Sequence, residues 1–271
     1  MNPSKDIHQA NRLTWNEGTQ AHNSHKADQA AFLRSGGSTL YPEELELLGN
    51  LAGKKLVHLQ CNSGQDTLCL ARLGAIATGV DISDTAIEFA VRLSADSGIP
   101  AAFVRDDVYD WLEGAAQSDE RFDIAFSSYG AFCWLSDLNL WAKGIAAILK
   151  PGGRFVLVDF HPIATTHDEN YVRVEPYFLD GDKMTRYETG ISDYVAASGD
   201  ALTPSGYLDG VQNFQNSYPA YEFTWTIADI LTALIDAGLR LTAYHEYPYM
   251  NGDRMFHNMQ EAPGKRMYPA P

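Results

Sequence analysis

The chain is poor in cysteine, in positive charge and in long apolar runs, and each shortage narrows what it does. Its three cysteines, Cys61, Cys69 and Cys133, are odd in number and form no CxxC pair. That pattern argues against a disulfide framework and for free thiols in a reducing cytoplasm. Lys and Arg total 20 against 35 Asp and Glu, a net charge of −15. Such a chain repels phosphate backbones and anionic membrane surfaces, and no Lys/Arg cluster builds a local basic stripe. Neither a nucleic-acid nor a membrane partner is therefore expected. No apolar run approaches about 18 residues, so no transmembrane helix is expected either. The stretch from Met1 to Arg12 is polar and lacks the apolar core of a secretory signal. These shortages leave a cytoplasmic protein with a small-molecule partner, and room for a homodimer.

What is present has a clear rhythm. The 271 residues, 45% hydrophobic and 20% charged, suffice for one α/β domain with additions. Short apolar runs at 55–60 (KLVHLQ), 77–82, 101–105, 122–127 and 155–160 (FVLVDF) read as strands. Amphipathic segments at 66–73, 85–97 and 138–149 read as helices between them, stopped by Gly74, Gly98 and the Pro151-Gly152-Gly153 turn. Alternation of this kind predicts βαβ units in a Rossmann-like, doubly wound, mostly parallel sheet with helices on both faces. Residues 10–45 carry helical patterning with Trp15, Phe32, Leu33 and Leu40 as anchors. After the fifth strand nearly sixty irregular, tyrosine-rich residues intervene, a length that is usually functional. Then 226–238 reads as a helix N-capped by Thr226, with Asp229 three residues on, and 239–245 as a further strand. The organisation predicted is a helical lid (1–45), a cofactor-binding core (46–162), a substrate cap inserted after the fifth strand (163–225) and a closing helix and strand (226–271).

The turn after the first strand, QCNSGQDT (Gln60–Thr67), has to leave a strand and enter a helix at once. Gly64 suits a tight turn where backbone approaches a ligand, and Asp66 and Thr67 open a helix facing the loop. Asp81, closing the second strand about twenty residues on, is placed to accept two ribose hydroxyls, with Ile82 beside it. Asp106 and Asp107, ending the third strand next to Val108, are alternatives for an adenine amine. A dinucleotide site wants GxGxxG and a phosphate loop wants GxxxxGK followed by Ser or Thr; neither is present. An adenosine-bearing cofactor without phosphates fits better. An NAD-type oxidoreductase shares the βαβ unit and Asp81 but lacks its glycines, and a non-catalytic adenosyl-binding protein is the third reading.

These pieces together resemble the class I S-adenosylmethionine-dependent methyltransferases. KLVHLQCNSGQDT stands at that family's glycine-rich motif, GVDIS at its ribose-binding acid, RDDVYD at its adenine motif and LKPGGRFVLVDFHP at the turn before its fifth strand. His58 replaces the family's usual first-strand acid, and Gln60 and Asn62 replace its first two glycines. The HLQCxxGxDT variant, the DFHP stretch and the LIDAGLRL…HEYPY tail are also similar to bacterial natural-product enzymes, including those that methylate indole carbon in tryptophan-derived cyclic dipeptides. The resemblance implies S-adenosylmethionine as cofactor, S-adenosylhomocysteine as product and no metal. It also implies an acceptor that is a small, aromatic or amine-bearing molecule. The family's closing strands are poorly matched, and RMYPAP at the C-terminus makes a poor strand.

The expected cofactor wall is thus Gln60, Cys61, Asn62, Gly64, Gln65, Asp66, Asp81, Ile82, Asp106, Asp107, Val108 and Ser127, with Trp15 from the lid. Cys61 reads as a small buried group beside the cofactor, not a nucleophile. His161, just past the fifth strand, is a candidate general base, as is Tyr129, whose ring would also face the sulfonium. His22, Trp134, Tyr194 and Glu222 are the candidate acceptor contacts, Glu222 and Asp193 for a substrate amine.

Overall fold

The computed structural model of the protein describes residues 5–179, 181, 183–251, 255–262 and 265–267. In chain order the helices are α1 (Lys5–Ser24), α2 (Gln29–Arg34), α3 (Pro42–Leu48), α4 (Gln65–Arg72), α5 (Asp84–Ser97), α6 (Val108–Gln117), α7 (Leu138–Ile148), α8 (Tyr194–Ser198) and α9 (Ile227–Asp236). The strands are β1 (Lys55–Leu59), β2 (Ile76–Asp81), β3 (Ala102–Arg105), β4 (Phe122–Ser128), β5 (Leu149–Val158), β6 (Met184–Tyr187), β7 (Ala220–Phe223), β8 (Tyr249–Met250), β9 (Gln260–Ala262) and β10 (Lys265–Met267).

β1 sits at the middle of a five-stranded sheet of order β3-β2-β1-β4-β5, parallel throughout. Successive side chains leave a strand on opposite faces. Leu56 therefore joins Leu48, Leu68 and Phe126 in one core, while Val57 and Leu59 join Trp141, Ile145 and Ile148 in the other. Helices cover both faces, as the near-continuous apolar strands require. The strand order reverses between β1 and β4, and the cleft above the carboxyl ends at that point is where open α/β sheets bind ligands.

Two sequence expectations fail at the sheet edge. β5 does not wait for the Pro-Gly-Gly turn to end but runs from Leu149 through it, with a register irregularity between Phe122 and Ile124 on β4. Pro151 is tolerated because β5 is an edge strand, where a missing N–H costs no ladder bond. Gly153 is required there, since a Cβ would lie 2.9 Å from the Lys150 carbonyl oxygen. The strand expected at 239–245 does not form: the segment has no ladder partner, and Leu241 is 50% exposed. α9 forms with the Thr226–Asp229 capping box and buries Ile230 and Ala233 against α7. Of the segment that follows, Leu239 packs against the same core, while Leu241 points to solvent. Instead β8, β9 and β10 make a separate small sheet of order β8-β10-β9. Part of RMYPAP, expected to be a poor strand, pairs there as β10, while 263–264 and 268–271 lie outside the described residues.

α1 lies across the carboxyl ends of β2 and β3. Arg12 and Asn16 both bond Asp84, Ser83 Oγ donates to Asn16 at 2.7 Å, and Lys5 pairs with Asp110. The segment after β5 is irregular apart from α8, short 3₁₀ turns and the antiparallel pair β6–β7, whose register sets Thr185 opposite Glu222.

Candidate functional site

A cavity of about 950 Å³ opens between the carboxyl ends of the sheet, α1 and the segment 187–205. Its floor is the turn after β1. Gln60 and Asn62 hold φ of 57° and 47°, left-handed conformations that cost a non-glycine residue about 1–2 kcal/mol. These are the two positions where the resembled family carries glycine, so the bend is kept although the glycines are gone. Local bonds hold it: Asn62 N donates to Asp81 Oδ2 at 2.8 Å, Ser63 N to Asn62 Oδ1 at 2.6 Å, and Gln60 Nε2 to the Ala131 carbonyl at 2.8 Å. Gln60 Oε1 is buried with no partner.

Asp81 accepts from Ser83 N at 2.8 Å as well as from Asn62. Burial pushes its carboxyl up to about 6 against those donors. A carboxylate has about four lone-pair sites, so two remain for a ligand. Ile82, Asp106, Asp107 and Val108 continue the wall. Asp107 is largely committed: its Oδ2 lies 2.6 Å from His8 Nδ1 and its Oδ1 accepts from Tyr109 N as the cap of α6. The His8 partnership holds its carboxyl below the usual range against burial. Asp106 spends one oxygen on Asp107 N.

At the opposite end Asp66 accepts from Thr39, and Gln65 donates to Gln29 at 2.7 Å. Lys26 also lines the cavity; burial brings its ammonium down to about 8 against the pull of Asp66, and no carboxylate of the described residues pairs with it. Sequence reading missed Lys26, which sits past the end of α1 in an unremarkable polar stretch. It missed His58 too, a wall residue whose Nδ1 lies 2.9 Å from Thr67 Oγ1 and whose imidazole burial lowers to about 4. Asp159, after β5, was equally silent. It accepts from the backbone N–H of Gly130, Ala131 (2.9 Å) and Phe132 (3.3 Å), and burial raises it to about 6.

The remaining wall is aromatic. Trp15 meets Trp134 edge-on at 5.5 Å and His22 at 6.1 Å, and His22 lies 4.1 Å from Tyr194. Burial lowers His22 to about 4, so its ring is neutral. Cys61, Cys133, Tyr129, Tyr187 and Glu222 also face the cavity. Burial raises the Cys61 thiol well above its ordinary value, which fits a packing group and not a nucleophile.

Several expected site residues are placed elsewhere. His161 is not in the cavity wall: Nε2 lies 2.7 Å from Glu246 Oε1 and Nδ1 accepts from Ile163 N, so both nitrogens are spent on pinning the loop. Ser127 is fully buried behind the wall, and Ser128 takes the cavity position. Gly64 also lies behind it; a Cβ there would strike Ala90 and Phe103 at 2.7 Å, so the glycine serves helix packing and not a ligand. Tyr129 lines the cavity, but burial and then Glu44 raise its hydroxyl so far that it stays protonated. It is a wall ring, edge-on to Tyr41 at 5.9 Å, and not a base. Asp193 is consumed by His25 Nε2 at 2.9 Å and by the cap of α8.

Comparison with known proteins agrees with this geometry. Residues 57–153 match the family described as a methyltransferase domain. The chain is 32% identical over 114 residues to thiocyanate methyltransferase 1 of Brassica oleracea, covering 40% of this chain and 46% of that protein. It is 30% identical over 108 residues to a ubiquinone biosynthesis O-methyltransferase of Proteus mirabilis, covering 40% and 42%. The matched part spans about half the length of these curated relatives. Among solved structures, the DhpI–SAH complex aligns with a TM-score of 0.51 at 17% identity, over 87% of this chain and 89% of that one. Residues 57–153 thus resemble a methyltransferase domain, and the fold over 87% of the chain is shared with the DhpI–SAH complex. No helix among the described residues is long and apolar enough to cross a membrane.

Proposed function

We propose that the protein is an S-adenosylmethionine-dependent methyltransferase acting on a small aromatic or amine-bearing molecule of bacterial secondary metabolism. The observation that carries this reading is one continuous cavity of about 950 Å³ with two chemically different halves. One is a polar, strand-end half around Asp81, and the other an aromatic half under α1 and residues 187–205. Small-molecule sites typically fall in the range of about 300–1,000 Å³, so this one has room for cofactor and acceptor side by side.

The residues of the first half suit an adenosyl sulfonium amino acid. Asp81 would accept the ribose hydroxyls with its two free lone pairs. Asp106, less committed than Asp107, would take the adenine amine, with Ile82 and Val108 against the ring. The orphaned Gln60 Oε1 is an acceptor for the amino acid's ammonium, and Lys26 is the cation for its carboxylate. The wall offers no cluster of cations for phosphates. S-adenosylmethionine supplies an activated methyl group and leaves as S-adenosylhomocysteine. The protein's own share is alignment and exclusion of water, which is where much of a transfer barrier is removed. Residues 1–45 act as the lid through α1, and 163–225 as the substrate cap. Titration calorimetry tests the reading: micromolar binding of S-adenosylhomocysteine is expected, and no heat with folded protein overturns it.

A further inference from the structure

Neither residue that sequence reading offered as a base serves, and the acceptor half of the cavity holds one acid without a partner. Glu222 lies on β7, facing the cavity. No described side chain or backbone group hydrogen-bonds its carboxylate, and burial alone raises its pKa. The cations of the same hairpin are engaged elsewhere, Lys183 with Asp229 and Arg186 with Glu188. Burial first, and Glu222 after it, raises both the Cys133 thiol and the Tyr187 hydroxyl, which favours their neutral forms. His22, across the chamber, is neutral as well.

This carboxylate is held firmly. Asn11 of α1 clamps the preceding residue in both directions: its Nδ2 donates to the Tyr221 carbonyl and its Oδ1 accepts from Tyr221 N, each at 2.8 Å. Trp225 Nε1 donates to the Leu135 carbonyl at 2.9 Å and fixes the far end of the strand. A half-buried charge without a partner is still costly, and here Asn11 of α1 and the Leu135 carbonyl are spent on keeping its strand in place. The same cavity is lined by Trp15, Trp134, Tyr187 and Tyr194, side chains of the kind that attract a cation. The fold thus supplies a negative centre in an aromatic chamber and leaves the positive partner to the ligand.

We infer that Glu222 and this chamber form a subsite for an organic ammonium, and that the methyl acceptor is a primary or secondary amine. The acceptor assignment rests on the methyltransferase reading; the ammonium subsite does not. An ammonium nitrogen has no lone pair and must lose a proton before it can accept a methyl group. Glu222 is positioned to receive that proton on a carboxylate oxygen: one N–H bond breaks, one O–H bond forms, and no other reactant is needed.

The test is calorimetry with 2-phenylethylamine, 2-phenylethanol and phenylacetate as probes, on free protein and on protein loaded with S-adenosylhomocysteine. The amine should bind, the alcohol about tenfold or more weaker and the carboxylate not at all. In Glu222→Gln, the amine should weaken by about 30-fold or more, the loss expected when a desolvated charge pair is broken, while S-adenosylhomocysteine binding stays within about twofold. Glu222→Asp, which keeps the charge, should recover part of the loss and serves if the first variant fails to fold. Methyl transfer to the amine should fall in parallel. If loaded protein binds S-adenosylhomocysteine but shows no preference for the amine, or if Glu222→Gln binds the amine as well as wild type, the subsite is overturned and the methyltransferase reading stands. If the amine binds and S-adenosylhomocysteine does not, the reverse holds.

Discussion

Replacing Asp81 with Asn isolates the contact proposed for the cofactor's ribose. The carboxylate keeps two lone-pair sites free after accepting from Asn62 N and Ser83 N. Two ribose hydroxyls bonded to a charged acceptor contribute about 1.5–3 kcal/mol each. The amide of Asn retains one good acceptor and turns its NH₂ toward a donor, so a net loss of about 2–3 kcal/mol follows, or roughly 30- to 150-fold in Kd. A second signature comes from titration. Burial sets the free carboxyl at about 6, and binding wants the ionised form. For such a group roughly nine-tenths is ionised at pH 7 and about a tenth at pH 5. Wild-type affinity for S-adenosylhomocysteine should therefore fall close to tenfold between those pH values, with the loss centred on the free pKa. The Asn variant should bind weakly and with no such slope. Calorimetry at five pH values measures both, with a melting scan confirming the fold at each. An Asn variant that binds within threefold of wild type, or that keeps the wild-type slope, would refute the assignment of Asp81 to the ribose.

Other outcomes follow from the same bonds. Asp159→Ala orphans three loop N–H groups and should cost about 3 kcal/mol, read as a lower midpoint in urea unfolding. His8→Ala removes the contacts to Asp107 Oδ2 and, at 2.9 Å, to Ser136 Oγ; faster hydrogen exchange along α1 is expected, with weaker cofactor binding. Glu44 is fully buried and its carboxyl is pushed up to about 8. A folded value above the unfolded one makes the ionised form destabilising: the cost is absent below the unfolded pKa of 4.5, grows as pH rises, and is complete above about 8. Glu44→Gln should therefore raise Tm by an amount that increases from pH 5 to pH 8 and then levels off. A gain independent of pH would count against the burial cause.

The sheet was legible because its signals are local. Five apolar runs, three of them followed by a helix with a recognisable stop, leave few topologies, and burial on both faces needs no partner information to predict; the helix after the third run, α6, was not read from the sequence. The place of Asp81 in the cavity wall was legible for the same reason, since it ends a strand at a fixed distance from a bend. The edge was not legible. Whether 239–245 joins the sheet depends on what surface remains uncovered once α9 has packed, which no pattern within seven residues encodes. The acceptor half was legible in part: His22, Trp134, Tyr194 and Glu222 were each named from the sequence and line the cavity, while Asp193, named beside Glu222, does not. Tyrosine richness announced an aromatic chamber, but which acid faces it depends on the register of β6 against β7 and on Asn11, over two hundred residues from its partner Tyr221. His161 misled because a histidine at a strand end satisfies a positional rule, whereas its role was decided by Glu246, 85 residues away.

Prior commitments sort the carboxylates that reach the cavity. Asp107 is spent on His8 and a helix cap, and Asp66 on Thr39 and the field of Lys26, so both mainly shape the wall. Asp81 and Asp106 are partly spent: their bonds to backbone fix their direction, and the remaining lone pairs face the cavity. That is the state a recognition group needs, since an oriented acceptor loses little entropy on binding. Glu222 is oriented through its backbone alone and has every lone pair left. Hydroxyl donors of a nucleoside need fixed direction more than charge, and they meet the half-committed acids. An ammonium needs charge more than direction, and the uncommitted acid lies where the wall is aromatic. The two halves of the cavity thus differ in how much of each carboxylate the fold has already used, and that difference is the basis for proposing neutral donors in one and a cation in the other.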